Sequence, residues 1–418
     1  MAKLIINGGN RLNGRVLVNG MKNSATKLIA ATLLTEQECI LHNVPRVRDV
    51  LRMVDLLGSL GAKISWDGDH DLRIQCDQVS LKTLDKGAVK AMRSSIALLG
   101  PMLARFHDIT LPEPGGDNIG RRPLDTSWVP LRALGATIEP VMDGYHLFAD
   151  KISGATIILP EFSVGATENG LMAAALTPER TVIKLAAVEP SVRDLMGFLN
   201  AMGAEAKETG THIVEIIGKE KLHGAEYTVA PDNLEVGTFA VAAAATRSDV
   251  EISPIVLFDM ESTIEKLKMI GVDCQVNGNS LRVRASNDLK AFKLQTMPFP
   301  GFPTDLQAPF SVLATQCVGT TLIHDPLFEG RMGHINEMIK MGANATICDP
   351  HRVLISGPSQ LFGREMPTLD IRSGATLVLA GLVAQGETII NHVEILDRGY
   401  ENFEIRLAAL GADIRREE

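Results

Sequence analysis

The chain has 418 residues, with 41 Lys and Arg against 50 Asp and Glu for a net charge of −9, and only 4% aromatic residues. An acidic chain poor in aromatic rings suits neither the phosphate backbone nor the stacked bases of nucleic acid, which argues against general nucleic-acid binding. Five scattered cysteines without a CxxC pair predict reduced, buried thiols and neither a disulfide frame nor a zinc site, and the start MAKLIING, which runs straight into a strand pattern, predicts no signal peptide and a cytoplasmic protein.

Along the chain, six runs are apolar nearly all round and rich in Ala and Gly. They are KNSATKLIAATLL from Lys22, SSIALLGPMLA from Ser94, GATENGLMAAAL from Gly165, EVGTFAVAAAA from Glu235, DLQAPFSVLA from Asp305 and SGATLVLAGLVA from Ser373. A helix without a polar face must be buried, and these runs are too short and too often interrupted to span a bilayer. Each is followed by a short strand-like segment, such as CILHNV, TVIKLAAV or TTLIHDPLF.

Between them runs a second series. A helix-like pattern ends in an apolar residue, then Gly, then a strand, at Gly61 (SLGAKI), Gly135 (ALGATI), Gly203 (AMGAEA), Gly271 (MIGVDC), Gly342 (KMGANA) and Gly411 (ALGADI). Glycine takes the left-handed cap conformation without a Cβ clash. Six such signals in step predict six copies of one unit, each with a buried helix, a surface helix and several strands. Separate α/β domains in tandem are the alternative, but no Pro/Gly/Ser-rich linker divides the copies.

Basic residues recur near the polar turns of this pattern. Lys22-Asn23 precede the first apolar run, Arg93 opens the second, and Arg121-Arg122 follow the loop PEPGGDNIG. Arg331 follows FEG, Arg372 opens the sixth run and Arg398 lies in LDRGY. Taken singly, each is ordinarily a solvated surface charge. Together, several at helix starts, they point to a polyanionic substrate, because first-turn N–H groups and the helix dipole favour anions and Arg offers a planar fork.

The order of motifs resembles the enolpyruvyl transferase family, and within it the branch acting on UDP-N-acetylglucosamine. The resemblance covers essentially the whole chain. It rests on GxKN at Gly20–Asn23, NVPxVxD at Asn43–Asp49, KAMRSSI at Lys90–Ile96, GGxxIGxRP at Gly115–Pro123, SVGATEN at Ser163–Asn169 and EP at Glu189–Pro190. FPTDLQ at Phe302–Gln307, LFEGR at Leu327–Arg331, LDIR at Leu369–Arg372 and DRGY at Asp397–Tyr400 complete it. The resemblance implies a two-lobed inside-out α/β barrel of six units. Residues 22–230 would form one lobe and residues 1–21 plus 231–418 the other, with the active site in the cleft. It implies transfer of the enolpyruvyl group of phosphoenolpyruvate to the 3′-hydroxyl of UDP-N-acetylglucosamine, the first committed step of peptidoglycan synthesis, without metal or organic cofactor.

Site roles follow from the same resemblance. Asp305 contacts and deprotonates the acceptor hydroxyl; a lone Asp after Thr would otherwise be a helix cap. Lys22, which is also implied as catalytic, Asn23, Arg122, Arg372 and Arg398 bind phosphoenolpyruvate, with Asp370 and Arg372 as lobe-closing partners. Asn23, Arg93, Arg122, Ser163, Val164 and Gly165 contact the sugar nucleotide, and Leu124 and Asp125 read the uracil. Leu327, Phe328 and Glu329 line the sugar pocket. Where most members carry a loop cysteine as general acid, this chain has Asp117.

Other positions also depart from the family. Ala97 stands where Trp is usual, Ser127 for His, Glu161 for Lys and Ser191 for Glu. Glu161 adds negative charge beside the expected diphosphate. Transfer to a different nucleotide sugar and a non-catalytic sugar-nucleotide sensor therefore stand as alternatives. The sensor would be expected to lose Lys22, Asp305 or Arg398, and all three are present.

The Asp117 departure yields a prediction. Fosfomycin alkylates the family's loop cysteine, and a carboxylate is a far weaker nucleophile than a thiolate. The chain is therefore expected to be insensitive, and Asp117→Cys to restore sensitivity. Intact mass spectrometry after incubation with the epoxide checks it: an adduct on Asp117 in the unmodified chain would contradict the expectation.

Overall fold

The computed structural model describes residues 2–116, 120 and 123–418. Twelve principal helices alternate between the two predicted kinds. They are α1 (Lys22–Ala31), α2 (Arg48–Ser59), α3 (Leu99–Phe106), α4 (Asp125–Ala133), α5 (Val164–Ala174), α6 (Pro190–Ala201), α7 (Asn233–Ala245), α8 (Leu257–Ile270), α9 (Gln307–Thr315), α10 (Gly333–Lys340), α11 (Ile371–Val383) and α12 (Phe403–Ala409). The odd-numbered helices, α7 and α9 most clearly, are buried nearly all round; every residue of α7 and of α9 is buried. The even-numbered ones keep an exposed face, as in α2, where Asp49, Val50, Met53, Val54, Leu56 and Leu57 turn inward at helical spacing.

All six repeat glycines take positive φ, between +100° and +112°. Three of the apolar runs differ from the expected continuous helix: the first ends as a 3₁₀ segment, Thr32–Leu34, and two others begin as one. The second run begins as a 3₁₀ segment (Arg93–Leu98) before α3, and the fifth as Thr304–Leu306 before α9. Pro101 and Pro309 lie in the first turns of α3 and α9. A proline has no N–H to give the carbonyl four residues back, so the preceding turn tightens to 3₁₀.

The chain divides into two compact units. One runs to Asn19 and resumes at Pro231; the other begins at Gly20 and ends at Ala230. Each contains three copies of a helix pair and sheet. In the second unit, Cys39–His42 pairs in parallel with Glu226–Thr228 and antiparallel with Asp71–Gln75, which pairs with Lys63–Asp67. The same pattern unites Thr156–Ser163, Arg180–Ala186, Ile213–Ile217 and Glu205–Gly210. The remaining sheet has three strands, Asp108–Pro112, Gly144–Phe148 and Thr137–Val141.

In the first unit the pattern closes through the chain's beginning. Lys3–Asn7 lies between Glu387–Asn391 and Asp413–Glu417, with Ile5 opposite both Ile389 and Arg415. The sixth repeat thus takes one strand from the N-terminus. Asn13–Leu17 likewise pairs in parallel with Asp249–Ser253.

Four cysteines are buried, with burial pushing Cys39 and Cys76 up to about 11 and Cys274 and Cys317 up to about 12. Cys348 corrects the uniform expectation: its side chain leaves the Asn344–Asp349 strand on the exposed face. No described helix is long and apolar enough to cross a membrane.

His334 on α10 is buried, and its Nδ1 donates to the Arg331 carbonyl at 3.1 Å. Burial lowers it to about 4, against the smaller upward pulls of Asp370 and that carbonyl. The unfolded imidazole takes up a proton near its ordinary value while the folded one does not, so stability is full above that value and falls as pH drops towards the folded one. Urea unfolding at about pH 7.5 and about pH 5 should show a loss of about 2 kcal/mol in the wild type that is absent from His334→Asn.

Candidate functional site

In the second unit the expected nucleotide-binding residues gather at the heads of buried helices. Lys22 and Asn23 open α1, whose N-cap residue, Met21, provides no side-chain cap. The Lys22 ammonium lies 3.6 Å from Asp49, so the GxKN and NVPxVxD motifs meet in one ion pair. Gly20 is required there, because a Cβ would fall 1.8 Å from the Asn43 carbonyl oxygen. Arg93 opens the 3₁₀ segment that packs against both α1 and α5.

The SVGATEN motif is occupied almost residue by residue. Ser163 caps α5 by accepting from Ala166 N at 3.3 Å, with Val164 and Gly165 in the first turn, where N–H groups have no partner within the helix. Thr167 Oγ1 accepts from Ala187 N at 2.9 Å, and Asn169 Oδ1 accepts from Gly100 N at 2.7 Å. Glu168 is almost fully buried; it accepts from Ser191 Oγ at 3.0 Å and faces the Lys27 ammonium at 3.6 Å. That separation is an ion pair, not a hydrogen bond. Burial pushes the Glu168 carboxyl up, and Lys27 and Ser191 only partly pull it back. Lys27 also donates to the Asn23 carbonyl at 3.2 Å, which connects the pair to the first turn of α1.

Of the departures from the family pattern, Ser191 is explained by its bond to Glu168. Glu161 accepts from Thr126 Oγ1 at 2.7 Å, beside Leu124, which is buried, and Asp125, which is exposed at the start of α4. Ala97 and Ser127 are both buried.

In the first unit Asp305 is not a helix cap. It sits within the 3₁₀ turn, and its carboxylate accepts from Arg372 Nε at 2.8 Å, with Arg331 3.6 Å from its other oxygen. Arg372, on the first turn of α11, has a side chain only 10% exposed and lies over the Tyr400 ring at 5.4 Å. Burial works against its charge, but Tyr400, Asp305 and Asp232 more than offset it, and the net shift is upward. Asp232 is buried in turn and caps α7 through Leu234 N and Glu235 N; burial is the main cause of its raised carboxyl pKa. Asp370 forms a capping box with Ser373 at the head of α11. Leu327, Phe328 and Glu329 follow strand Gly319–His324, with Arg331 stacked 4.6 Å from the Phe328 ring. Arg398 ends a 3₁₀ turn, next to Asp397, which pairs with Arg416 at 2.5 Å.

Asp117 and Arg122 lie outside the described residues. Sequence reasoning gave no role to Lys27, Glu168, Asp49 or Asp232, although Glu168 and Asp49 lie within its motifs. A Lys and a Glu inside otherwise apolar runs were a usable signal, since buried charges need partners; Asp232, just before an apolar helix, carried none.

The family model for EPSP synthase (3-phosphoshikimate 1-carboxyvinyltransferase) matches residues 6–407. The chain belongs to the enolpyruvyl transferase family. It is 42% identical to the UDP-N-acetylglucosamine 1-carboxyvinyltransferase of Bradyrhizobium diazoefficiens, over 99% of this chain and 97% of that one. It is 40% identical to UDP-N-acetylglucosamine 1-carboxyvinyltransferase 1 of Carboxydothermus hydrogenoformans, over 100% and 98%. Among solved structures, the enolpyruvyl transferase NikO from Streptomyces tendae superposes with a TM-score of 0.90 at 24% identity, covering 99% of this chain and 98% of that one. EPSP synthase from Acinetobacter baumannii gives 0.76 at 20%, with both chains fully covered. The fold is therefore that of the enolpyruvyl transferases: the inside-out α/β barrel of six units.

The Lys27–Glu168 pair gives a stability prediction. Removing one partner of a buried pair leaves an uncompensated charge, so Lys27→Met should cost about 3–5 kcal/mol in urea unfolding at neutral pH. Lys27→Met with Glu168→Leu should recover most of it. The single variant's deficit should shrink towards acid pH, where Glu168 can take up a proton; a deficit independent of pH would contradict the assignment.

Proposed function

We propose that the chain transfers the enolpyruvyl group of phosphoenolpyruvate to the 3′-hydroxyl of UDP-N-acetylglucosamine, releasing phosphate, in the cytoplasmic phase of peptidoglycan synthesis. The observation that carries this reading is the 42% identity, over nearly the full length of both chains, to a relative named for that reaction. The arrangement around Asp305 supports it.

In this reading the acceptor hydroxyl loses its proton to Asp305 as its oxygen bonds to C2 of phosphoenolpyruvate and a proton is added at C3. C3 then gives up a proton, the C2–O bond to phosphate breaks and phosphate leaves. Asp305 suits the first proton because Arg372 holds one carboxylate oxygen at 2.8 Å, which orients the group towards a single task. Arg372, Arg398, Lys22, Asn23 and Arg122 bind phosphoenolpyruvate, whose phosphate and carboxylate call for several cations and donors. Ser163, Val164 and Gly165, with Arg93, hold the diphosphate at the head of α5. Leu124 and Asp125 read the base, Leu327, Phe328 and Glu329 line the sugar pocket, and Asp117 delivers the proton to C3.

One observation favours a second reading, transfer to a different nucleotide sugar. The Glu161 carboxylate, held by Thr126, stands two residues before the α5 cap. At about 4 Å and an effective dielectric near 20, a misplaced charge is worth on the order of 4 kcal/mol against a diphosphate.

Mass spectrometry of products from purified chain, phosphoenolpyruvate and UDP-N-acetylglucosamine tests the proposal. A nucleotide sugar heavier by one enolpyruvyl group, with phosphate released, is expected. Asp305→Asn should lower kcat by about 10²-fold or more. Unchanged UDP-N-acetylglucosamine alongside turnover of another nucleotide sugar would establish the second reading instead.

A further inference from the structure

Asp325 closes strand Gly319–His324 and is fully buried. Its backbone is fixed on both sides: its N–H donates to the His351 carbonyl at 2.8 Å, and its carbonyl accepts from His351 Nδ1 at 2.7 Å. Its carboxylate accepts three hydrogen bonds, each from an uncharged donor. Oδ1 takes Thr296 Oγ1 at 2.7 Å and Leu327 N at 3.0 Å, and Oδ2 takes Thr304 Oγ1 at 2.5 Å.

The last of these has a forced direction. A hydroxyl has one proton, and because a guanidinium at its oxygen can only donate, the Thr304 proton is the one that goes to Asp325. The Thr304 oxygen is then an acceptor, and Arg331, which can only donate, reaches it at 3.0 Å. Arg331 is the same arginine that lies 3.6 Å from Asp305 and stacks on Phe328. Thr304 immediately precedes Asp305, and Leu327 opens the segment that carries Phe328, Glu329 and Arg331.

We infer that Asp325 is a positioning residue for the reaction: through Thr304 and Leu327 N it sets the turn bearing Asp305 and the arginine that flanks it. The inference rests on the reading of Asp305 as the carboxylate that meets the acceptor hydroxyl. Asp325→Asn keeps the size and breaks the logic. With its amide towards Thr304, the threonine proton is turned onto Arg331, which has no acceptor. With its amide towards Thr296 and Leu327 N, two N–H groups face each other.

The test combines kinetics with hydrogen exchange on the full chain, using phosphoenolpyruvate and UDP-N-acetylglucosamine. Thr304→Val and Asp325→Asn should each lower kcat by about tenfold or more, while KM for phosphoenolpyruvate moves less than about threefold, one lost hydrogen bond to a charged group being of that order. Thr304→Ser, which keeps the hydroxyl, should stay within about threefold of wild type. The double variant Thr304→Val/Asp325→Asn should be no worse than the poorer single, as members of one path are not additive. Exchange over residues 304–306 and 327–331 should quicken about tenfold in Thr304→Val and not in Thr304→Ser. Should Asp325→Asn fail to fold, Thr304→Val carries the test. A folded Thr304→Val with wild-type kcat, or losses that multiply in the double variant, would overturn the inference. A wild-type chain inactive on these substrates would overturn the proposed acceptor, and the exchange rates would still decide the positioning.

Discussion

Six helices without a polar face must be covered on every side, and the rest of the molecule follows from that requirement. A sheet and an amphipathic partner in each copy supply part of the cover, the buried helices of a unit pack on one another for the rest (α3 on α5; α7, α9 and α11 together), and the glycine after each amphipathic helix turns the chain back into a strand. Because these helices are dry along their length, only their ends can present polar groups. Lys22 and Asn23, Ser163 to Gly165, and Arg372 all lie at such ends. The same geometry gives each end the positive pole of a helix dipole, which favours anions.

Several of the charges that enter the dry interior come in sets. Arg372 lies among Asp305, Asp232 and Tyr400; Lys27 faces Glu168; Arg406 pairs with Glu235 on α7. Sets of this kind contribute little net stability, since desolvation offsets the attraction, but they define geometry sharply because each partner is costly to leave alone. In both units the buried set adjoins residues assigned to substrate: Lys27 bonds the Asn23 carbonyl, and Arg372 holds Asp305.

The repeat itself was legible in the sequence because both of its signals are local. Apolar runs and cap glycines depend on what a helix of that composition must do, whatever surrounds it, and all six glycines adopt the left-handed conformation those signals call for. The 3₁₀ openings of the second and fifth runs were missed although Pro101 and Pro309 were in plain view, because a proline's effect depends on where in the helix it falls. The motif residues were legible only through family resemblance. Composition alone carried the argument no further than basic residues at helix starts.

What the sequence by itself determined is the unit: a dry helix, a wet helix, a capping glycine and strands, six times over, with cations where helices begin. Tertiary structure alone decided the partners. That the N-terminal strand completes the sixth repeat, that Glu168 meets Lys27, 141 positions before it, and that Asp325 holds Thr304 are facts about residues distant in the chain. Periodicity reports which way a side chain faces, not what it will meet. The energy of a buried charge or hydroxyl depends on that partner, so it is settled only when the chain has closed on itself.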